Sequence, residues 1–403
     1  MEKGYKYRIY PTEEQKKIIL LIISACRYVY NKTLEWHNKV YESENRYVSY
    51  REAWDMLVNA FVYFDWLNEA DHVALQQTLM NLEQAFKNFF NKKSRYPKFK
   101  SKRKSRLSYR TMNNNNTLKI IGDKIHIPKV GDVKAVISRT APEGWKIKSA
   151  TISMERDGTF YVSLLYSNSK EKEPPVTTIV DPKNTIGLDY KSDGLYVDDN
   201  GTNFHMEKCF RKSEPRLRRE QRKLARMIRC HITGFKKGNR GGDIPIYDKP
   251  LKDCKNIQKQ IKKIAKIHRH IADQRKDTLH KESTRIANLY DLVAVEDLDF
   301  KAMSNKGFGN GKATLDNGGG MFYTFLEYKL RERGKPFIKV DKWYPSSQLC
   351  SCCGHRDKRL KNLQISRWEC PECGAVHNRD HNAAKNIKTE GLRIFSELLT
   401  KAA

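Results

Sequence analysis

The chain has 403 residues, is 39% hydrophobic, and sets 77 Lys+Arg against 47 Asp+Glu for a formal net charge of +30. That length and apolar content can bury roughly two to four cores, while the lack of a long apolar run and of a signal-type apolar stretch in MEKGYKYRIY argues against membrane insertion and secretion, so a cytoplasmic protein is expected. The cationic excess points to a polyanionic partner, nucleic acid before an acidic membrane surface, and nine cysteines in a reducing compartment point to metal rather than to disulfides.

In chain order, YKYRIY from Tyr5 to Tyr10 alternates like a strand. Pro11, Thr12 and Gln15 then read as a helix start with a capping box, ahead of the periodic apolar run IILLIISACRYVYNKTL. This helical block is expected to continue through ALQQTLMNLEQAFKNFF, from Ala74 to Phe90. Lys92 to Arg110 follows with ten basic residues and no acid. Lys92, Lys93, Arg95, Lys98, Lys100, Lys102, Arg103 and Lys104 are candidate phosphate contacts there, and the interleaved Tyr96, Phe99 and Tyr109 suit stacking on bases or sugars. TLKIIGDKIHIP and TISMERDGTFYVSLLYS read as strands, the second folded at an Asp157-Gly158 hairpin turn, so a β domain is interrupted by helices. The charged, proline-bearing run from Asn168 to Asn184 reads as a linker.

Beyond it, IGLDYKSDGLYVDDNGTNFHME reads as a meander whose first apolar run ends at Asp189 and whose last turn is Asn200-Gly201. Basic helices are expected over roughly Ser213 to Leu289. The stretch from Lys208 to Lys276 holds 23 basic and six acidic residues, which is +17 of the +30. Leu292 to Val295 reads as a buried strand ending at Glu296, and Asp380 opens a helix, RDHNAAKNI, whose Ala383 and Ala384 allow close packing. Singly, each acid has an ordinary explanation: strand ends are commonly charged, and an acid suits a helix N-terminus. Together, Asp189, Glu296 and Asp380 form the oxygen set that hard divalent cations favour, and phosphodiester hydrolysis uses two such ions.

The cysteines carry the more specific pattern. Cys350 and Cys353, then Cys370 and Cys373, form two Cys-x-x-Cys knuckles separated by 16 residues, each followed by glycine. This is the spacing of a four-thiolate structural zinc site. Cys352 reads as a bystander that could still compete as a ligand, and His355 and His377, with four thiolates completing the site, read as surface residues. Cys26, Cys209, Cys230 and Cys254 read as small packing side chains. Lys358, Arg359, Lys361 and Arg367 would give this cysteine segment a basic face.

The series YKYRIYPTEEQ, CRYVYNKTLEW, YPKFKSK, IGLDYKSDGLYV, VAVEDLDF, the two knuckles and NRDHNAAKNI resembles TnpB, the RNA-guided nuclease of insertion-sequence transposons, and more distantly the miniature type V CRISPR nucleases. The resemblance spans nearly the whole chain. It implies a multidomain α/β protein: a wedge β-barrel-like domain over 1–10 and 94–167, a helical recognition insertion at 11–93, a linker at 168–183, and a ribonuclease H-like (RuvC) nuclease domain over 184–347 and 376–403. A zinc ribbon at 348–375 is inserted in that nuclease domain. Residue by residue, the family's catalytic acids map to Asp189, Glu296 and Asp380, and its zinc ligands to Cys350, Cys353, Cys370 and Cys373.

Many relatives read GIDLG where this chain has GLDYK, and some carry an acid where it has Asn378. The implied activity is Mg²⁺-dependent, RNA-guided cleavage of double-stranded DNA beside a short flanking motif. It would use two Mg²⁺, one structural Zn²⁺ and a guide RNA derived from the transposon end, with the protein a monomer on its RNA. Arg367 and the basic run after Lys92 would touch nucleic acid. Two alternatives stand beside it: an RNA-guided DNA-binding repressor that does not cut, and a guide-independent nuclease or transposase on the same fold.

Overall fold

The computed structural model describes residues 1–169, 172–238, 241–305, 307, 311–362 and 364–402. It divides into two compact units, Met1–Lys172 and Glu173–Ala403.

In the first unit, strand β1 (Glu2–Tyr10) is followed by four helices: α1 (Glu13–Glu44), α2 (Tyr50–Tyr63), α3 (Asp65–Asn68) and α4 (His72–Phe90). The expected single helical block is therefore broken, because Asn45 ends α1 in a left-handed conformation and Ser49 starts α2 with its own capping box. At the head of α1, Thr12 accepts from Gln15 N and the Gln15 side chain accepts from Thr12 N, so the predicted box is present. Six strands follow: β2 (Leu107–Met112), β3 (Lys119–Ile121), β4 (Lys124–Ile127), β5 (Gly131–Val136), β6 (Lys146–Met154) and β7 (Phe160–Ser167). They join β1 in one antiparallel sheet of order β2-β6-β7-β1-β5-β4-β3. The first strand in sequence thus lies inside the sheet. It pairs with β7 from Glu2↔Ser167 to Ile9↔Phe160 and with β5 at Ile9↔Ala135. The core joins the inward residues Tyr7, Ile9, Val162 and Leu164 to Ile19, Ile22, Ile23 and Leu75 of the helices.

The second unit begins within the expected linker. Thr177 N donates to Gly334 O at 2.8 Å, so this part of the run is packed; residues 170 and 171 lie outside the described ones. A meander follows as β8 (Thr185–Tyr190), β9 (Tyr196–Asp198) and β10 (Asn203–Phe204). Its last turn places Gly201 at φ +84°, where Gly is favoured.

Next come α5 (Cys209–Arg229), β11 (Ile232–Lys237), β12 (Asp243–Tyr247) and α6 (Lys255–Leu289), so the segment expected to be all basic helix contains a β-hairpin. Its strands are largely exposed, with Phe235, Ile244 and Ile246 facing solvent, so neither shows the alternation of a half-buried strand. The chain continues through β13 (Leu292–Glu296), α7 (Phe300–Met303), α8 (Gly311–Asn317), α9 (Gly319–Arg331) and β14 (Phe337–Val340). A small ribbon of β15 (Arg367–Glu369) and β16 (Val376–Asn378) leads directly into α10 (Arg379–Ala402). The main sheet has the order β10-β9-β8-β13-β14, with β8, β13 and β14 mutually parallel and β9 antiparallel between β8 and β10. This is a ribonuclease H-like sheet. α9 covers it through Phe322, Leu326 and Leu330, and α10 through Ile387 and Phe395.

Candidate active site and cysteine ribbon

Strand register brings the first two acids together. Leu188 is the partner of Val295 in the parallel β8–β13 pair, so Asp189 and Glu296 are the next residues on neighbouring strands at the same carboxyl edge. Glu296 is in turn the register partner of Val340 at the end of β14. Ligand and substrate sites on open parallel sheets form at such edges.

Asp380 arrives on the first turn of α10, which lies against β8 so closely that a Cβ at Gly187 would stand 2.2 Å from Ala384 O. The three acids line one cavity of about 690 Å³, together with Lys191, Lys342, Trp343, Tyr344, Arg356, Lys361 and Arg379. Burial first, and then the charges of Asp380 and Glu296, hold the Asp189 carboxyl well above the usual carboxylate range; Arg379 and Lys191 pull the other way. Burial alone raises Glu296.

Crowded, desolvated carboxylates are the environment that a hard cation relieves, so the donor set fits Mg²⁺. Among the described residues, only thiol-containing groups bring three or more ligand atoms within 4.8 Å of one another. The acids therefore surround the cavity instead of meeting at a point. One Mg²⁺ needs its oxygens within roughly 4 Å of one another, whereas two ions about 4 Å apart can be held by a wider set.

Two networks hold α10 in place. On one side, Asp199 accepts from Gly187 N at 3.1 Å and pairs with Lys388 Nζ at 2.8 Å, while its carbonyl lies 3.0 Å from His381 Nε2. On the other, Asn382 accepts from Ser351 N at 2.9 Å and donates to Leu349 O at 2.6 Å, and Asn386 donates to Ser346 O and Leu349 O, both at 2.7 Å. The two asparagines clasp the backbone on both sides of Cys350. The sequence reading passed over them, although two asparagines four apart on an otherwise apolar helix face were the available signal. It also passed over Lys191, whose Nζ pairs with Asp380 at 2.9 Å.

The four predicted cysteines cluster. Cys350 and Cys373 Sγ are 3.6 Å apart, as are Cys353 and Cys370. Thiolates about 2.3 Å from one tetrahedral centre lie about 3.8 Å apart, so the set fits zinc. Gly354 and Gly374 occupy φ +76° and +68°, which explains the glycine after each knuckle.

Several expectations need correction. His377 is buried, not a surface residue: its ring packs on Trp368, and its Nε2 lies 3.1 Å from Cys350 Sγ. Cys230 is exposed. Tyr109 is only 3% exposed inside the first unit's core and cannot stack on a base. Lys100 is largely desolvated, with its ammonium 3.8 Å from the Tyr30 ring centroid. Arg359 is forked onto Asp357 at 2.7–3.0 Å. Lys92, Lys93, Arg95, Lys98, Lys102, Arg103, Lys104 and Arg367 are all exposed, as phosphate contacts require.

Comparison with known proteins follows the same division. Family models match residues 320–387 ("Cas12f1-like, TNB domain"), 1–46 ("Helix-turn-helix domain") and 242–306 ("Probable transposase"). A Streptomyces pristinaespiralis protein named as an RNA-guided DNA endonuclease is 32% identical over 395 residues, covering 97% of this chain and 90% of the relative. A second so named, InsQ of Escherichia coli K12, is 30% identical and covers 98% and 93%. In fold, the chain is similar to the protein solved by cryo-EM as a Cas12f1-sgRNA-target DNA complex, with a TM-score of 0.55, 14% identity, and coverage of 96% and 98%. The class this architecture defines is the ribonuclease H-like folds with an inserted four-cysteine ribbon. Within that class, the chain belongs to the TnpB family.

Proposed function

We propose that this chain is an RNA-guided DNA endonuclease of an insertion-sequence transposon, cutting at the cavity lined by Asp189, Glu296 and Asp380. The observation that carries the reading is the joint placement of three acids from distant segments, ringed by Lys191, Lys342, Arg356, Lys361 and Arg379. Acids of this kind serve to hold cations, and the surrounding bases attract a phosphodiester backbone.

Asp189, Glu296 and Asp380 would hold two Mg²⁺, which supply water activation and charge stabilisation at the leaving oxygen. The protein's own part is positioning. β8 and β13 fix two carboxylates at one sheet edge, the clasped α10 delivers the third, and Arg379 and Lys361 orient the phosphate. Cys350, Cys353, Cys370 and Cys373 would hold one structural Zn²⁺, keeping the backbone around Cys350 rigid where Asn382 grips it. A guide RNA bound as a long polyanion would read one DNA strand by pairing, with the exposed bases of the Lys92–Arg110 run among its contacts. The assembly is expected to be one protein on one RNA.

The test is purification with its transposon-end RNA, sequencing of that RNA, and cleavage of a matching target in Mg²⁺. Asp189→Ala and Glu296→Ala should stop cutting and leave guided binding intact. RNA-free protein that cuts branched DNA unaided would overturn the guided reading, and normal cutting by either variant would overturn the site.

A further inference from the structure

Trp343 is 80% exposed, yet it lines the same cavity as the three acids. A single exposed apolar side chain is ordinary in itself; what distinguishes Trp343 is that its ring stands at the polar cavity of the three acids. Its position is fixed, not incidental. Val340, at the end of β14, is the register partner of Glu296, and Asp297 N donates to Val340 O at 2.8 Å. The chain therefore leaves β14 beside the acid edge and turns at once. Asp341 holds that turn twice, its side chain accepting from Trp343 N at 2.7 Å and its carbonyl accepting from Tyr344 N at 2.9 Å. The backbone under the ring is thereby anchored, and Lys342 Nζ lies 5.1 Å from the ring centroid. Around it stand Lys191, Arg356, Lys361 and Arg379.

We propose that Trp343 is a stacking platform for one unpaired nucleobase of the DNA strand entering the cavity, adjacent to the phosphate that is cut. The proposal rests on the nuclease reading of this cavity and adds to it a positioning residue. The chemistry selects the ligand. An exposed indole face offers a base a sequence-tolerant contact, a ring of cations offers its flanking phosphates charge, and a base in a duplex has no free face to give. Stacking would hold the strand so that the next phosphate lies over the carboxylates. It would act on substrate binding more than on the chemical step.

The test is a cycle in the RNA-loaded full-length protein, pairing Trp343→Ala with an abasic nucleotide moved one position at a time around the cut site. Single-stranded DNA binding is measured without added Mg²⁺ and without chelator, so that the cysteine ribbon keeps its zinc and no cleavage intervenes, using a 2-aminopurine probe in the same positions. Base–aromatic stacking of about 1–3 kcal/mol corresponds to roughly 5- to 150-fold in affinity. Trp343→Ala should weaken binding by about that factor, Trp343→Phe should retain most of it, and one abasic position should cost wild type as much but cost Trp343→Ala nothing further. Loss of 2-aminopurine quenching at that position alone would be the spectroscopic counterpart. Equal abasic penalties in wild type and Trp343→Ala at every position, or full affinity in Trp343→Ala, would overturn the proposal. These readouts involve no cutting, so they stand apart from failure of the acid assignment, which Asp189→Ala cleavage would reveal.

Discussion

The acid cavity and the cysteine ribbon sit next to each other in one unit, yet they are built in opposite ways. The ribbon takes its four sulfurs from 24 consecutive residues, Cys350 to Cys373, and two glycine-closed knuckles bring them within 4.8 Å. The cavity takes its acids from Asp189, Glu296 and Asp380, and nothing local brings them together: β8–β13 register and the seating of α10 on Gly187 do that work. One site is assembled by its own loops, and the other by the tertiary fold. The first should fail through its ligands, the second through any residue that moves a strand or helix.

The largest expected effects come from the ligands themselves. Asp189→Ala should reduce cleavage by at least ~10³-fold, the upper scale for losing one preorganised electrostatic group, while metal content of the ribbon and guided DNA binding stay at wild-type levels. Cys370→Ser should do the reverse in order of cause. It should release zinc, whose binding contributes on the order of 10 kcal/mol to such folds, disorder the backbone around Cys350, and lose cleavage because Asn382 and Asn386 no longer find Leu349 O and Ser351 N. Zinc content and cleavage on one RNA separate the two variants. A Cys370→Ser protein without zinc that cuts at the wild-type rate would break the link between the sites.

Two intermediate changes sharpen the same contrast. Gly187→Ala adds a Cβ that would meet Ala384 O at 2.2 Å and Lys388 N at 2.7 Å, both backbone atoms that cannot step aside. A cost of about 3 kcal/mol or more is expected, with α10 lifted from β8. Cleavage should fall while zinc content is unchanged, measurable by thermal melting beside metal analysis. Asn382→Ala leaves Ser351 N without its side-chain acceptor and should cost about 1–3 kcal/mol. Its zinc should exchange faster, and its cleavage should fall less than that of Gly187→Ala.

What was legible in the sequence follows the same line. The knuckles could be read from spacing alone, because a tetrahedral site made of neighbours leaves a local pattern. The acids could be placed at strand and helix ends from the apolar runs before Asp189 and Glu296 and from RDHNAAKNI. Their meeting was not legible, since register is a property of two strands at once. The exposed hairpin between α5 and α6 was missed because neither strand has a buried face. Tyr109 was misplaced for the opposite reason: among ten basic residues its strand alternation passed as interleaving, yet it points into the sheet's core. His377 reads as a surface residue because four thiolates complete the site without it, and it is the β15–β16 pairing that turns it inward onto Trp368.

The smallest prediction uses a buried ionisable group of the first unit, outside both metal-type sites. His37 on α1 packs on Phe86 and Tyr47 at 4.5 and 4.8 Å between ring centroids, and its Nδ1 accepts from Val48 N at 3.4 Å, so the ring is neutral with its proton on Nε2. Burial pushes its pKa down to about 4, against a weaker opposing pull from Glu52. An unfolded histidine titrates near 6.5. Between those values the unfolded chain binds more protons than the folded one. Stability of the first unit should therefore be full above about pH 6.5, fall as pH drops toward 4, and level off below.

Burial is the largest cause at both Asp189 and His37, but at Asp189 like charges add to it, whereas at His37 Glu52 opposes it. His37 therefore shows desolvation acting without like-charge repulsion. The loss should be on the order of 1–2 kcal/mol after allowing for solvent screening. Urea melts at pH 7.5 and pH 5 should show it in wild type. His37→Phe keeps the aromatic packing but cannot take a proton, so its melts should differ less between the two pH values. An unchanged pH difference in His37→Phe would mean that the ring is protonated in the fold and that burial alone does not shift it.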